Sequence, residues 1–597
     1  MPGLLRREQI EERYTWRLED IFPTINAWEE AYHAAERLLE QFGHYQGSVK
    51  DIPSEVIRAY FALSEDILYV YSYAFLFRET DNTAPTAQAM SERAERLYVQ
   101  FQTSSAFLKP ELLSLSDEAL SELQEAPDMS DYSEFLRTLR LEKQHTLSES
   151  EEALLAGMGE VCSAPERTFS MLTRADMHFP DIQLPDGELS PLTEGTYSTF
   201  IHHKNQEVRR QAFHHLFSEY HALGNTFAAI YGASVKKDVA LAKARHYASA
   251  RQAAMLPLEI PETVYDNLIS VIHESLPVLH RYLQLRKSVM GLSELHMYDL
   301  YVPMIEDFEM KLPFDAAFQL VFEGLKPLGS DYLSLLQTAK DNRWMDVYPT
   351  IGKSSGAFSS GELARVHPYV LLNHNDNLES AFTIAHELGH SMHSYYSNHT
   401  QPFPKQDYST FVAEVASICN EAIMMRYLLE QYTDQKTTLF LLNHFLEQFR
   451  TTCFRQTMLA EFEMQVHEMA QRGVPLTCEK LSETYKSLND LYYGPVCFVD
   501  PLIGDEWMRI PHFNSAFYVY VYATGLCAAV SLSDKILGEG DRAVADYKRF
   551  LSAGSSVPPL EALKLAGIDM EDPEVLRSAI HVFSDILDRF ENAVKEG

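Results

Sequence analysis

The stretch AFTIAHELGHSMHSYYS, residues 381–397, decides how the rest of the chain is read. Its apolar residues recur at helical spacing, and a helix places residues four apart on one face. His386 and His390 can therefore aim two imidazoles at one ion, and Glu387, one position on, can reach a water beside it. With 23 His and 85 acidic residues in 597, such a His-acid-x-x-His arrangement is expected by chance roughly 0.13 times, so its surroundings must support it.

A catalytic zinc usually takes three protein ligands. His393 shares the helix face, but seven residues at 1.5 Å put it about 10.5 Å of rise from His386, too far for bonds of about 2 Å to one ion. It is assigned to packing or to support of the ligands. The extended signature with a further histidine ligand is excluded, because it needs glycine at 393 and histidine at 396, where this chain has His393 and Tyr396. Downstream, TFVAEVASICNEAIMM (410–425) reads as a helix with Glu414, Ser417 and Glu421 on one face. Glu414, set among Phe411, Val412, Val415 and Ala416, needs a partner if buried and is the candidate third ligand. Glu421 fits an acceptor that orients a metal-bound histidine, beside Ser417, although the spacing equally allows a solvated carboxylate.

Upstream, HPYVLLN (367–373) reads as a strand. Val370 and Leu371 at its centre are candidates for pairing with an extended ligand by strand addition, against the plainer reading of an edge strand. The glycines of GAFSSG (356–361) permit unusual backbone angles, so Gly356, Ala357 and Phe358 are candidate contacts in a mobile binding loop.

Apolar residues at three- and four-residue spacing in 264–290 and 420–432 mark a mainly α chain. The clearest exception is FPDIQLPDGELSPLTEGTY (179–197), where Asp186-Gly187 predicts a hairpin. A helical run resumes over 197–220. A boundary near 195 divides an N-terminal helical lobe, 1–195, from a catalytic domain, 196–597.

The net charge of −35 argues against a phosphate-neutralising surface, and nucleic acid is not an expected partner. Cys162, Cys419, Cys453, Cys478, Cys497 and Cys527 form no Cys-x-x-Cys pair and read as reduced thiols. The N-terminus has no apolar signal core, and no run reaches the roughly 18 apolar residues of a membrane span, so the expectation is a cytoplasmic protein without a membrane partner.

These segments resemble oligoendopeptidase F, of the thimet oligopeptidase-like zinc metallopeptidases. The resemblance is carried by HPYVLLN, AFTIAHELGHSMHSYYS, FVAEVAS with Asn420-Glu421, TWRLEDIFP (15–23), MYDLYVP (297–303), GAFSSG and HFNSAFYVYVYATG (512–525). It implies a two-lobed helical zincin shell around a deep channel, with a small β-sheet next to the metal helix, one Zn²⁺ per chain and oligopeptide substrates. It also implies that His512 and a tyrosine, Tyr518 first and then Tyr520, bind the substrate carbonyl, with Tyr522 also available. Alternating aromatics in FYVYVY equally suit a core or a strand. Two departures stand out: Ser354 and Phe358 replace the family's usual arginine and tyrosine, and Asn514 and Ser515 replace frequent aromatics. The implied reaction is hydrolysis of internal peptide bonds with Glu387 as general base and acid. The rival readings are a helical zinc carboxypeptidase and a non-catalytic peptide-binding protein. Side-chain preference and oligomeric state are not assigned.

Overall fold

The computed structural model describes residues 4–305, 308 and 310–596. It divides into two compact units interleaved along the chain: Met1–Gln144 with Glu309–Leu428 and Ala529–Asp569, and His145–Phe308 with Leu429–Ala528 and Met570–Gly597. Residue 195 falls inside the second unit. Helices dominate both, as the periodicity predicts, and among the described residues none is long and apolar enough to cross a membrane.

In the first unit, helices Ile25–Phe42, Pro53–Thr80 and Pro85–Ser104 are started by local chemistry. Thr24 accepts the Ala27 N–H at 3.1 Å, while Pro53 and Pro85 occupy first-turn positions where an N–H has no helical partner. Their buried faces contribute Trp28, Tyr32, Val56, Ile57, Val70 and Leu97 to one core. Each such side chain contributes about 1.5–3 kcal/mol through burial. Trp28 keeps its indole N–H satisfied by donating to the Val70 carbonyl at 2.8 Å. The same core takes in Leu363, Tyr369 and Leu371, so the predicted strand is sewn into it.

That strand, Tyr369–Leu371, is the middle of a three-stranded sheet. It runs parallel to Met345–Asp346 and antiparallel to Phe358–Ser360, with Ser359 opposite Val370. The expectation that Val370 and Leu371 pair with a ligand is therefore corrected: neither is exposed, and both flanks of their strand are already paired. The sheet lies against helix Leu378–Thr400, which is capped by Asn377 accepting the Ser380 N–H at 2.8 Å.

In the second unit the predicted hairpin is present, Ile182–Gln183 pairing with Leu189–Ser190 around Gly187 at φ 89°. The helix predicted over 264–290 spans Glu262–Val289. The run over 197–220 is split into Glu194–Ile201 and Gln206–Ala222, because Asn205 accepts the Glu207 N–H and caps a new helix. The aromatic alternation at 517–522 forms no strand; helix Tyr520–Glu539 begins within it.

Candidate metal centre

Helix Leu378–Thr400 carries His386, Glu387 and His390, and helix Thr410–Gln431 carries Glu414, Ser417 and Glu421. Gly389 allows the two to touch: a Cβ there would stand 2.5 Å from the Ser417 Cα and 2.7 Å from the Ala416 carbonyl oxygen. Buried Asn420 locks the crossing by donating to the Ala385 carbonyl at 3.0 Å while accepting from the Tyr332 hydroxyl at 3.0 Å.

The crossing brings three donor atoms together. His386 Nε2 lies 3.2 Å from His390 Nε2 and 3.3 Å from Glu414 Oε2, and His390 Nε2 lies 3.4 Å from the same oxygen. A tetrahedral ion with bonds of about 2.0–2.1 Å separates its ligand atoms by about 3.3–3.4 Å, so the donor set fits a zinc ion in both chemistry and spacing. His386, His390 and Glu414 are the one group among the described residues whose ligand atoms converge in this way.

The surrounding contacts fix the ligands. His386 Nδ1–H donates to Glu421 Oε1, leaving Nε2 turned to the centre, and Ser417 Oγ donates to Glu414 Oε2 at 3.0 Å. Burial disfavours charge on His386, but hydrogen bonds with Glu414 and Glu421 outweigh it and push its pKa up to about 10. Burial alone would raise the Glu414 pKa, yet the two imidazoles hold it far below the usual carboxylate range. Both shifts express a demand for positive charge, which a divalent cation meets without protons on the Nε2 atoms. Glu387 is buried, and that burial raises its pKa against the opposing pull of His386 and His390.

His393 is not part of the cluster. It is 1% exposed, its ring stacked on Tyr408 at 3.7 Å and 5°, with Phe550 at 5.0 Å. Burial lowers its pKa to about 3, so it is a neutral packing group. In the preceding loop, Gly356 sits at φ 84° and its carbonyl accepts from Asn373 Nδ2 at 2.8 Å. Gly356 and Ala357 border a depression of about 350 Å³ with His374, Asn377 and Thr383. Phe358 instead faces the core, 5.7 Å from Phe75 and 6.3 Å from Trp16, so its side chain is corrected from ligand contact to packing. Ser354 ties the loop down, accepting from Asn82 Nδ2 at 2.7 Å and donating its N–H to the Glu79 carbonyl at 3.0 Å. Ser359 and Ser391 share a hydrogen bond of 2.8 Å that joins the strand to the histidine helix, a contact that sequence spacing does not reveal.

Residues 199–582 match the model of peptidase family M3, and residues 111–179 match that of oligopeptidase F. The chain belongs to peptidase family M3. It is 43% identical over 589 residues to oligopeptidase PepF of Bacillus subtilis, covering 98% of this chain and 88% of that one. It is 37% identical over 595 residues to the group B oligopeptidase PepB of Streptococcus agalactiae, covering 99% of each. The crystal structure of oligoendopeptidase-F from Enterococcus faecium superposes with a TM-score of 0.74 at 34% identity, covering 96% of this chain and 99% of that one. As an M3 metalloendopeptidase it hydrolyses peptides, and its mainly helical fold is that of oligoendopeptidase F.

Within the second unit of this M3 peptidase, His512, Tyr518 and Tyr522 form a group. The Tyr522 hydroxyl lies 3.3 Å from His512 Nε2, the Tyr518 and Tyr522 rings meet edge to face at 5.4 Å, and His512 lies parallel to Tyr518 at 6.3 Å. Burial, with the nearby Arg455 charge, lowers the His512 pKa. Tyr520 is corrected: it is 1% exposed and packs on Tyr265 at 5.0 Å, on the far side of the helical turn. Tyr522, in the first turn of helix Tyr520–Glu539, is the tyrosine that stands beside His512 and Tyr518. Asn514 donates to the Pro511 carbonyl at 3.2 Å, closing the turn that carries His512.

Proposed function

We propose that the chain is a zinc-dependent endopeptidase cleaving internal bonds of oligopeptides, with one Zn²⁺ per chain held by His386, His390 and Glu414. The observation that carries this reading is the donor triangle of 3.2–3.4 Å sides with the buried Glu387 one residue from a ligand. Bound there, zinc supplies Lewis acidity toward the scissile carbonyl and the attacking water. The Glu387 carboxylate takes a proton from that water and returns it to the leaving amine nitrogen. Glu421 orients His386, and Ser417 holds the Glu414 oxygen.

The Val370 N–H is spent on the Trp344 carbonyl, so its antiparallel partner Ser359 turns its own N–H and C=O to the outer edge of the sheet. That edge, rather than the central strand, is the place for an extended peptide to add. Oligopeptides as substrates are supported by the names of the relatives, an oligopeptidase PepF and a group B oligopeptidase. His512 with Tyr518 and Tyr522 serves the substrate carbonyl in this reading, supported by the resemblance of 512–525 and by the neutral state that burial favours for His512. Six free cysteines accord with a cytoplasmic setting. The division near residue 195 is retained as a sequence boundary, supported by family matches ending at 179 and resuming at 199.

Glu387→Gln tests the reading. The variant should hold zinc at the wild-type ratio while hydrolysis of an end-blocked oligopeptide falls by roughly 10²–10⁴. Undiminished hydrolysis would remove Glu387 from the reaction, and failure of the wild type on end-blocked peptides would remove the endopeptidase assignment.

A further inference from the structure

In the second unit, the segment that carries His512 and Tyr518 is pinned by two buried aromatic rings. Phe513 packs on Phe462 and on Tyr231, each at 5.4 Å, and Phe517 packs on His467 at 4.7 Å and on Tyr265 at 5.8 Å. Beside these anchors His512, Tyr518 and Tyr522 stay half-buried. Phe517 stands at φ 55°, and of the non-glycine residues at positive φ among the described residues it alone is buried. A bulky side chain rarely takes this left-handed conformation, which persists only where the surroundings hold it. The turn at Phe517 joins the short helical turn Pro511–Asn514 to helix Tyr520–Glu539, so whatever holds Phe517 also fixes where Tyr518 and Tyr522 stand relative to His512.

A single side chain grips that backbone. Glu463, 0% exposed on helix Arg455–Gln471, accepts the Phe517 N–H on Oε1 at 2.7 Å. Its Oε2 has no hydrogen-bond partner among the described residues. His467, one turn along, spends Nδ1–H on the Glu463 backbone carbonyl at 2.9 Å and turns Nε2 to Asp238 at 3.4 Å. Burial pushes the Glu463 pKa up to about 7; His467 and the Phe517 N–H oppose that rise, and the Asp238 charge adds to it. Tyr231 and Tyr265, on helices Gly224–Ala244 and Glu262–Val289, lie within reach of the same charge.

A carboxyl group buried for one backbone hydrogen bond is a poor way to stabilise a helix interface, where an apolar side chain of the same size would do better. Here a buried acid and a strained backbone meet beside groups that face substrate, the combination expected where geometry is held for function at the expense of stability. On the reading that His512, Tyr518 and Tyr522 serve the substrate carbonyl, we propose that Glu463 is a positioning residue, locking the left-handed turn at Phe517 through its N–H and thereby setting Tyr518 and Tyr522 against His512. Being fully buried, Glu463 touches no substrate and acts only through the turn.

Three variants of the full chain test this. Glu463→Met removes the acceptor at nearly constant length, Glu463→Gln keeps one, and Glu463→Asp keeps the carboxylate but leaves it one methylene short of the N–H. In Glu463→Met, kcat on an end-blocked oligopeptide should fall at least about tenfold with KM within about twofold, because small misplacements of a reacting group are expensive in rate. Hydrogen exchange over residues 515–518 should quicken at least about tenfold in the same variant. Glu463→Gln should recover most of the loss in both measurements. Adding Tyr522→Phe to Glu463→Met should lower kcat little beyond the larger single change, since both act on one group. Where Glu463→Met does not fold, Glu463→Asp carries the same expectations. Wild-type exchange over 515–518, or additive losses in the double variant, would overturn the proposal. His512→Ala separates this inference from the reading beneath it: if that variant keeps full turnover, the histidine–tyrosine group leaves the reaction and Glu463 with it, whereas lost turnover there with full turnover in Glu463→Met removes Glu463 alone.

Discussion

Gly389 and Ser417 meet backbone to backbone: a Cβ on the glycine would lie 2.5 Å from the serine Cα and 2.8 Å from its nitrogen. The histidine helix and the glutamate helix can approach to donor distance only because position 389 has no side chain. Gly389→Ala gains about 1 kcal/mol of helix propensity but forces the helices apart, at a cost of about 1–3 kcal/mol. The expected result is a small net loss of thermal stability with a larger loss of metal affinity, since His386, His390 and Glu414 would no longer close on one point. A chelator-competition titration beside a melting curve separates the two; unchanged metal affinity would show that the close approach does not set the site.

In the proposed zinc site, Glu421 acts on the metal through His386, whose Nδ1–H it accepts. A charged acceptor at Nδ1 makes Nε2 a stronger donor and holds the ring in place. Glu421→Gln keeps the shape and an acceptor but removes the charge, so metal affinity should fall by roughly 10–100-fold while helix content stays the same. Competition with a chelator reads the loss, and circular dichroism checks the fold.

The parts of this site that were readable in the sequence are those set by a single helix. The four-residue spacing of His386 and His390 and the shared face of Glu414, Ser417 and Glu421 follow from helical period alone, and the structure realises both. What spacing could not convey is pairing between elements. HPYVLLN is equally apolar in a central or an edge strand, and only its neighbours Met345–Asp346 and Phe358–Ser360 show that Val370 and Leu371 are shut in. The FYVYVY alternation misled in the opposite way: a period of two looked like a strand, but the chain turns into a helix at Tyr520 and puts Tyr518 and Tyr522 together. The interleaving of the two units is likewise a property of long-range packing, with no local signature.

His393 gives the fold an acid-sensitive point. Its pKa is about 3 when folded, against an ordinary value of 6.5, because burial between Tyr408 and Phe550 disfavours the imidazolium. The unfolded chain therefore binds the extra proton between those values, and stability rises with pH through that window. The contribution is fully present above pH 6.5 and is lost as pH falls toward 3, at up to about 1.4 kcal/mol for each pH unit. His393→Phe preserves a ring against Tyr408 and removes the titration. Urea midpoints from pH 7 to 4 should fall less steeply in the variant than in the wild type, and parallel slopes would count against a neutral buried His393.

Tyr520 and Tyr522 are two residues apart and have opposite environments, so matched variants can tell packing from chemistry. Tyr522 places its hydroxyl 3.3 Å from His512 Nε2, within a half-buried group. Tyr520 lies 1% exposed against Tyr265. In the proposed reaction, where negative charge develops on the substrate oxygen, removing the Tyr522 hydroxyl takes a donor away, and losses of about 10-fold to 10³-fold in kcat are ordinary for such a change. Tyr522→Phe should therefore lower kcat with little change in KM or melting temperature, and His512→Ala should lower kcat in the same way. Tyr520→Phe should leave kcat within about twofold, because its ring is what packs. If Tyr520→Phe were the variant that lost turnover while Tyr522→Phe kept it, the alternating reading of 518–522 would be restored and the helical one abandoned.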